Sequence, residues 1–297
     1  MHILVIYNKE AAAHLSELQQ AFSIHRQSAV FKPLSGSIKK YIKQAVRSGC
    51  ECVVAAGGDG TVNAVASELM QYKSVALGVL PMGTLNHFAK DIGMPTELRA
   101  AVTVIAQNER KKIDIAQVGD HYFLNNASFG VYPMLVKKRE DSQEKVGKWP
   151  ALLWAFLKIV PRLRRYRVHI TCDHIQKTYR TPLVLVANNP YDIRKRDFIR
   201  RKTLTSGLLV VYVLETKNLP ELLLVSWRVI RGFVEPSRIF THIKAHEITL
   251  ERASGKSLLL AYDGEVVSLP QASVSFRILP RKLQIITPKR EDHASEN

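Results

Sequence analysis

The chain has few cysteines, no long apolar segment and a shortage of acidic residues. Three cysteines in 297 residues are too few for a disulfide-stabilised secreted scaffold and fit a reducing compartment. No apolar run reaches the roughly 18 residues that a spanning helix needs. The N-terminus lacks the pattern of a signal peptide and reads as a strand. With 46% hydrophobic residues and neither repeats nor low-complexity segments, the sequence predicts a cytoplasmic globular protein.

The shortage of acidic residues leaves a strong positive charge. Lys and Arg number 43 against 26 Asp and Glu, a net charge of +17. Such an excess indicates an anionic partner. No helix-turn-helix, zinc-finger or aromatic RNA-binding pattern accompanies it, so we expect no nucleic acid. Anionic lipid headgroups account for the same charge.

An apolar, tryptophan-containing stretch at 149–161 runs directly into a cluster of arginines. Aromatic and aliphatic residues beside arginines are typical of a helix in the bilayer interface. A core helix with an exposed basic end has the same pattern, so both interpretations stay open. We expect peripheral association with the inner face of the membrane, and a homodimer is left open. The expected membrane surface comprises Trp149, Trp154, Arg162, Arg164, Arg165 and Arg167.

Strands and helices alternate over residues 1–115, with one helix expected over 11–27, and the pattern becomes β-rich over 116–280, with one strand expected over 122–127. The alternation predicts a doubly wound, mostly parallel α/β sheet with helices on both faces. The second region predicts a mainly antiparallel β-sandwich. Residues 280–290 are expected to pack back on the first domain, before a polar tail at 290–297. Because ligands bind at the carboxyl ends of parallel strands and pockets form between domains, we expect the active site in the interdomain cleft.

The most informative motif is Gly-Gly-Asp-Gly-Thr-Val-Asn, which begins at Gly57 after an apolar strand. Glycines allow backbone N–H groups to approach a phosphate, and the helix expected to start at Thr61 adds a partial positive charge. Asp59 places a carboxylate beside those phosphates, which indicates a bridging metal ion or a proton to be moved. On glycine pattern alone, a simple β–α turn is an equal alternative.

Two further motifs follow apolar strands. Pro-Met-Gly-Thr-Leu-Asn-His-Phe-Ala begins at Pro81, where Gly83 permits a turn and Thr84 can cap a helix while offering its hydroxyl to a phosphate. Near the other end, a strand runs into Asp263-Gly-Glu265. Taken alone, an Asp-Gly pair in this position is usually a hairpin turn.

Together the three motifs resemble those of the diacylglycerol kinase and sphingosine kinase family, in its branch of bacterial YegS-like lipid kinases. Smaller matches at 112–116 and 123–130 extend the resemblance to about residues 1–285. The first motif is more loosely similar to that of NAD kinases. The resemblance implies an NAD-kinase-like first domain and an enzyme that transfers the γ-phosphoryl group of ATP, with Mg²⁺, to a hydroxyl of a lipid such as diacylglycerol.

The resemblance also implies roles for particular residues. Glu265 or Asp263 is the base that removes the proton of the acceptor hydroxyl. Asp59 is a partner of the Mg²⁺ that bridges the phosphates, and Asn63 and Asn86 brace the loops. The nucleotide-binding residues are expected to be Asn8, Gly57, Gly58, Asp59, Gly60, Thr61, Val62, Asn63, Gly83, Thr84 and Asn86.

Three departures from the family pattern set limits on the resemblance. His87 stands where most members have Asp, and Asn8 is all that remains of an Asn-Pro-x-Ser-Gly motif. Ser206 replaces an Asp that helps bind a second metal; because hard cations prefer carboxylates, we expect no second site. The losses at Ser206 and after Asn8 keep a non-catalytic, membrane-binding lipid sensor on the kinase scaffold as an alternative. An NAD kinase is the other alternative, although the second motif and the positive charge are not expected of it.

Overall fold

The chain divides into two compact units. The computed structural model of the protein describes residues 1–130, 165–192, 200–215 and 240–289. The first unit contains Met1–Ile113 and the chain from Arg281 onward, and the second contains Asp114–Pro280. The strands of the first unit pair in parallel, and those of the second unit pair antiparallel.

Part of the expected membrane surface lies outside the described residues. The residues of this surface that are not described are Trp149, Trp154, Arg162 and Arg164. The tail at 290–297 also lies outside the described residues. Arg165 and Arg167 are described, and both are exposed. Within the described ranges, no helix combines the length and the apolar character needed to span a bilayer.

The first unit alternates strands and helices, as the sequence pattern predicts. Its elements are β1 (His2–Tyr7), α1 (Lys9–Ala12), α2 (Leu15–Ile24), β2 (Ser28–Pro33), α3 (Ile38–Arg47), β3 (Cys52–Gly57), α4 (Asp59–Leu69), β4 (Ala76–Pro81), α5 (His87–Asp91) and α6 (Leu98–Gln107). The helix expected over 11–27 is interrupted, because α1 ends at Ala12 and α2 begins at Leu15.

The remaining strands are mostly in the second unit. They are β5 (Arg110–Val118), β6 (His121–Phe123), β7 (Asn126–Gly130), β8 (Tyr166–Cys172), β9 (Ile175–Thr181), β10 (Leu183–Asn188), β11 (Leu209–Leu214), β12 (Phe240–Ala245), β13 (Glu247–Arg252), β14 (Leu258–Tyr262), β15 (Glu265–Leu269) and β16 (Ser273–Ile286). One strand expected over 122–127 is split into β6 and β7. Strands β9, β12 and β15 were not predicted from the sequence. In β9 most side chains are exposed, so its sequence lacks the apolar alternation that marks a strand.

The sheet of the first unit is parallel, with strand order β2-β1-β3-β4 and the end of β16 beside β4. Strand β3 is wholly buried and β4 is buried up to its last residue. Such continuous apolar runs are typical of parallel strands covered on both faces. Gly57 is paired in register with Pro81. The loops that follow β3 and β4 therefore begin side by side.

The second unit is an antiparallel β-sandwich. One sheet has the order β12-β11-β10-β7-β14-β15, and in the other β16, β13, β8 and β9 are antiparallel neighbours. Buried side chains from both sheets, including Val186, Leu260, Leu250 and Phe276, form one apolar core. The expected fold class, a mostly parallel α/β domain followed by an antiparallel sandwich, is confirmed.

Candidate active site

Two glycine-containing loops meet at the carboxyl ends of β3 and β4. A Cβ atom on Gly83 would collide with the Cα atom of Gly58, so the two backbones are in direct contact. On the first loop, a Cβ on Gly57 would collide with the side chain of Thr61 and lie 3.1 Å from the Cγ atom of Asn8. Glycine is therefore required for close packing at Gly57 and Gly83, where φ is not positive, whereas a Cβ atom on Gly58 would lie 3.4 Å from the Cα atom of Gly83, an ordinary contact.

Asp59 joins the first loop to the helix that follows the second loop. Its Oδ2 accepts a hydrogen bond from the N–H of His87 at 3.1 Å, and its Oδ1 accepts one from the N–H of Phe88 at 3.0 Å. These N–H groups belong to the first turn of α5, where intrahelical acceptors are lacking. A carboxylate also has lone pairs beyond those two bonds. Asp59 thus has a structural role that the sequence analysis did not anticipate, in addition to its expected role at the phosphates.

Both helix starts differ from the sequence analysis. Helix α4 begins at Asp59 rather than at Thr61, with Gly58 as the N-cap and without a side-chain cap. An uncapped helix N-terminus keeps backbone N–H groups available for an anion. Helix α5 begins at His87, after an N-cap at Asn86, so Thr84 does not cap it. Thr84 is instead an exposed residue of the loop.

Asn86 braces the second loop from within. Its backbone is in the left-handed region, with φ of 50°, which asparagine tolerates better than most residues. The side-chain Oδ1 accepts from the N–H of Gly83 at 3.0 Å, and Nδ2 donates to the carbonyl oxygen of Gly83 at 2.7 Å. The turn is therefore closed by one side chain that binds both backbone groups of the same glycine.

The other expected nucleotide-binding residues surround the first loop. Asn8 is the N-cap of α1, and its Oδ1 accepts from the N–H of Ala11 at 2.8 Å. Thr61, Val62 and Asn63 are buried on α4, whereas Gly60 is exposed. All the expected nucleotide-binding residues belong to the first unit, and the two expected acid–base residues belong to the second.

Asp263 and Gly264 form the two-residue turn of the β14–β15 hairpin. Tyr262 and Glu265 are paired across the strands, and φ is 45° at Asp263 and 92° at Gly264. Positive φ at both central residues defines a type I′ turn. The Asp-Gly pair therefore forms a hairpin turn, as such a pair usually does. Any role of Asp263 or Glu265 in proton transfer starts from this hairpin.

The Asp263 carboxylate is fully engaged by backbone. It accepts from the N–H groups of Leu124, Asn125 and Asn126 at 2.6, 2.9 and 3.1 Å. Burial raises the pKa of the Asp263 carboxyl to about 6, while these three donors and the Arg201 guanidinium act in the opposite direction. The three bonds favour the ionised form, because an ionised carboxylate only accepts hydrogen bonds, whereas a protonated one also carries an O–H donor.

Glu265 is the more accessible of the two acid–base candidates. Its side chain is exposed at the start of β15, and its Oε2 accepts a hydrogen bond from the Tyr262 hydroxyl at 3.0 Å. An exposed carboxylate with one fixed oxygen is able to approach a substrate hydroxyl, whereas both oxygens of the Asp263 carboxylate are already held by backbone N–H groups. The geometry therefore favours Glu265 as the base and Asp263 as the residue that fixes the turn.

A buried polar cluster supports the segment that binds Asp263. The guanidinium of Arg201 donates to the carbonyl oxygens of Leu124 and Asn188, and at 2.9 Å to Oδ1 of Asn125. The side chain of Asn188 also donates to the carbonyl of Leu124 at 2.8 Å. Because Arg201 and Asn188 are almost completely buried, these bonds are formed in a low-dielectric region. Nothing in the sequence singles out Arg201 beyond a general excess of basic residues.

Ser206 lies beside the same cluster. Its N–H and hydroxyl both donate to Oδ1 of Asn189, at 2.8 and 2.6 Å, and its hydroxyl accepts from the N–H of Leu208. The neighbouring Gly207 N–H donates to the Asp114 carboxylate at 2.7 Å. At this position the serine closes a turn through its hydrogen bonds to Asn189 and Leu208.

Comparison with known proteins gives consistent matches. The family model of the diacylglycerol kinase catalytic domain matches residues 2–118. The model of the YegS C-terminal NAD kinase beta sandwich-like domain matches residues 129–287. The diacylglycerol kinase of Bacillus subtilis (strain 168) is 30% identical over 295 residues, which covers 96% of this chain and 93% of that protein.

Solved structures share the fold at lower identity. A putative diacylglycerol kinase from Bacillus anthracis str. Sterne superposes with a TM-score of 0.72 at 19% identity, covering 96% of both chains. An NAD kinase from Archaeoglobus fulgidus in complex with ATP superposes with a TM-score of 0.58 at 10% identity, covering 97% of this chain and 94% of that one. Each of these two structural matches extends over almost the whole chain.

Proposed function

The chain belongs to the diacylglycerol kinase catalytic-domain family, and we propose that it transfers the γ-phosphoryl group of ATP to a hydroxyl of a lipid such as diacylglycerol. It is a phosphotransferase with an alcohol group as acceptor. The proposal adds the donor, the lipid class of the acceptor and the residues that act. The NAD kinase alternative shares the fold, at 10% identity, and is not favoured by the two family models.

The observation that carries the proposal is the joined pair of loops after β3 and β4. The contact between Gly58 and Gly83 and the bonds from Asp59 to α5 fix both loops before any nucleotide arrives. Fixed backbone N–H groups and the uncapped start of α4 suit a chain of phosphates. In phosphoryl transfer, positioning and charge stabilisation supply most of the rate, so a rigid cradle is the main requirement.

Glu265 is proposed to take the proton of the lipid hydroxyl as the oxygen attacks the γ-phosphorus. Its exposed carboxylate, with Oε2 fixed by Tyr262, supports this role. Asp263 holds the turn through its three backbone bonds and thereby fixes the place from which Glu265 acts. A positioned base of this kind contributes about 10²–10⁴-fold to the rate.

Asp59 is the residue that would hold Mg²⁺. Magnesium at kinase sites binds the phosphates and one or two carboxylates while it keeps several waters, so a single carboxylate with lone pairs remaining fits it. When bound, the ion neutralises charge on the phosphates. The residues of the chain itself position the loops, the phosphates and the base.

The direct test is phosphorylation by the purified protein with labelled ATP and Mg²⁺. The acceptors are diacylglycerol, monoacylglycerol, sphingosine, phosphatidylglycerol and NAD, each in a separate assay. We expect label in at least one lipid and none in NAD. Label in NAD alone would establish the NAD kinase alternative. No label in any acceptor, together with binding to lipid vesicles, would instead favour the lipid sensor that the losses at Ser206 and after Asn8 keep open.

The exposed face of the β8–β9 hairpin is proposed to contact anionic membrane lipids. Arg165, Arg167 and Arg180 are exposed there, and Arg167 is directly opposite Arg180 in the antiparallel register. Like charges in that arrangement destabilise a sheet, and an anionic surface removes the repulsion. This supports a peripheral membrane protein that reaches its substrate through reversible electrostatic binding.

Replacing Arg165, Arg167 and Arg180 with Gln should weaken binding to phosphatidylglycerol-containing vesicles by more than tenfold, since each basic residue near the surface contributes about 1 kcal/mol. Co-sedimentation with vesicles measures the effect. Binding of the unmodified protein should also fall between 0.1 M and 1 M salt, as the Debye length decreases from about 10 Å to about 3 Å.

The matched control removes three exposed charges from α3 by replacing Lys39, Lys40 and Lys43 with Gln. Both variants lose the same net charge. If vesicle binding depended only on the net charge of the protein, it would be weakened equally in the two variants. An equal loss in the two variants would contradict a specific role of the hairpin. Activity on a short-chain, water-soluble acceptor should be unchanged in both.

A further inference from the structure

A chain of two hydrogen bonds connects His121, Tyr262 and Glu265 in the second unit. The Tyr262 hydroxyl donates to Oε2 of Glu265 at 3.0 Å and is 3.2 Å from Nδ1 of His121. The rings of His121 and Tyr262 are stacked, with centroids 5.0 Å apart and an interplanar angle of 23°. Among the described residues, no other group donates a hydrogen bond to the Glu265 carboxylate.

The strand register explains why Tyr262 and Glu265 meet. They are the residues that flank the type I′ turn and are directly paired across β14 and β15. Paired residues project from the same face of a sheet, so their side chains are adjacent. His121 comes from β6, which is 141 residues away in sequence from Tyr262. The turn therefore places the tyrosine beside the glutamate, and β6 supplies the histidine that holds the tyrosine.

The direction of the two bonds follows from proton counting. An ionised carboxylate only accepts hydrogen bonds, and a phenol has a single proton to donate. The Tyr262 hydroxyl therefore donates its hydrogen bond to Glu265. The second bond then needs an N–H group at Nδ1 of His121, which donates to the tyrosine oxygen. Burial, followed by the charge of Glu265, raises the pKa of Tyr262 to about 12, so the hydroxyl keeps its proton near neutral pH.

We propose that Tyr262, oriented by His121, is a positioning residue that fixes Glu265 for removal of the acceptor proton. The tyrosine occupies Oε2 and leaves Oε1 to meet the substrate hydroxyl. Glu265 is exposed and would otherwise sample several rotamers, whereas Tyr262 is only 8% exposed and is held by stacking. Small errors in the position of a reacting group are costly to the rate. This inference rests on the proposed function, in which Glu265 is the base.

The first test is Tyr262→Phe, which removes the hydroxyl and keeps the ring. We expect kcat to fall about tenfold, because hydrogen bonds to charged groups are worth about a factor of ten or more. The KM for ATP should be unchanged, since the phosphate loops are untouched. His121→Phe keeps a stacking ring without the N–H donor and should lower kcat by a smaller factor, about threefold.

A matched control is Tyr179→Phe. Tyr179 is a half-buried tyrosine of the same unit whose hydroxyl has no hydrogen-bond partner among the described residues. The kcat and thermal midpoint of the Tyr179→Phe variant should equal those of the unmodified protein. Unchanged kcat in Tyr262→Phe would overturn the inference.

The decisive test is a double-mutant cycle with Glu265→Gln. If Tyr262 acts through Glu265, adding Tyr262→Phe to Glu265→Gln should cause little or no further loss of kcat. A full additional tenfold loss in the double variant would show that Tyr262 acts independently of the glutamate, and would overturn the inference. Thermal midpoints of all variants, measured in parallel, identify any loss that comes from unfolding.

The cycle also separates this inference from the proposed function. If Glu265→Gln is inactive while Tyr262→Phe retains full kcat, the base is correct and only the positioning role fails. If Glu265→Gln keeps full kcat, the assignment of the base fails and the inference fails with it. An unmodified protein that phosphorylates no acceptor would reject the proposed function itself, and the inference along with it.

Discussion

Glu265→Gln is expected to lower kcat by about a thousandfold, within the range of about 10²–10⁴ that a positioned base supplies. Glutamine keeps the volume of the side chain and still accepts the bond from Tyr262, but it takes up no proton near neutral pH. ATP affinity should stay within about threefold of the unmodified protein, since Glu265 is outside the phosphate loops. Single-turnover phosphorylation and equilibrium ATP binding measure the two effects separately.

Glu251→Gln is a suitable control for this variant, because Glu251 is an exposed glutamate of the same unit on β13. It should leave kcat and ATP affinity unchanged. The opposite pattern for Glu265→Gln, in which ATP affinity collapses while kcat per bound nucleotide survives, would mean that the β14–β15 turn is purely structural.

Asp59→Ala is expected to lower turnover by at least about a hundredfold, the lower end of the effect of a positioned catalytic group. The variant should also lose more free energy of unfolding than a substitution of a loop residue without such hydrogen bonds. The N–H groups of His87 and Phe88 lose their acceptor, and bonds to charged groups contribute about 1.5–3 kcal/mol each when fully formed. Because the site is half-exposed, we expect a total loss of about 1–3 kcal/mol in the free energy of unfolding.

Asp59→Asn separates the two roles of this carboxylate. Its amide oxygen still accepts one of the two bonds, so stability should be recovered in part. If Asp59 is a partner of Mg²⁺, higher Mg²⁺ should restore part of the activity of Asp59→Asn. An unchanged Mg²⁺ dependence in this variant would restrict Asp59 to holding the loops together. Glu68→Gln on the same helix α4 is the control and should behave as the unmodified protein does.

The fold was largely predictable because its signals are local. Strands such as β3 and β4 are continuous apolar runs ended by Gly57 and Pro81, and a helix such as α3 begins at a recognisable N-cap side chain, that of Ser37. Strands with exposed polar faces carry no such signal, which is why β9 was missed. Helix starts were displaced by two or three residues, since a backbone N-cap at Gly58 and a left-handed Asn86 have no distinctive side-chain pattern.

The candidate site was predictable in its residues but not in its contacts. The motifs name Asp59, Asp263 and Glu265, whereas their partners are far away in the sequence. Asp59 binds backbone 28 and 29 residues later, and Asp263 binds backbone 137 to 139 residues earlier. Backbone N–H groups are present at every residue, so sequence alone does not say which of them a carboxylate meets. Arg201 was missed for the same reason, because its acceptors are mainly carbonyl oxygens.

The contact between Gly58 and Gly83 has a consequence for the entropy of nucleotide binding. Two separate loops would each lose conformational freedom on closing around a triphosphate, and that loss would be subtracted from the binding free energy. With the backbones touching and Asp59 bonded across them, a displacement of one loop carries the other along, so there is one motion to restrict instead of two. Most of that ordering is completed when the protein folds. A larger part of the interaction with the phosphates is then available as affinity.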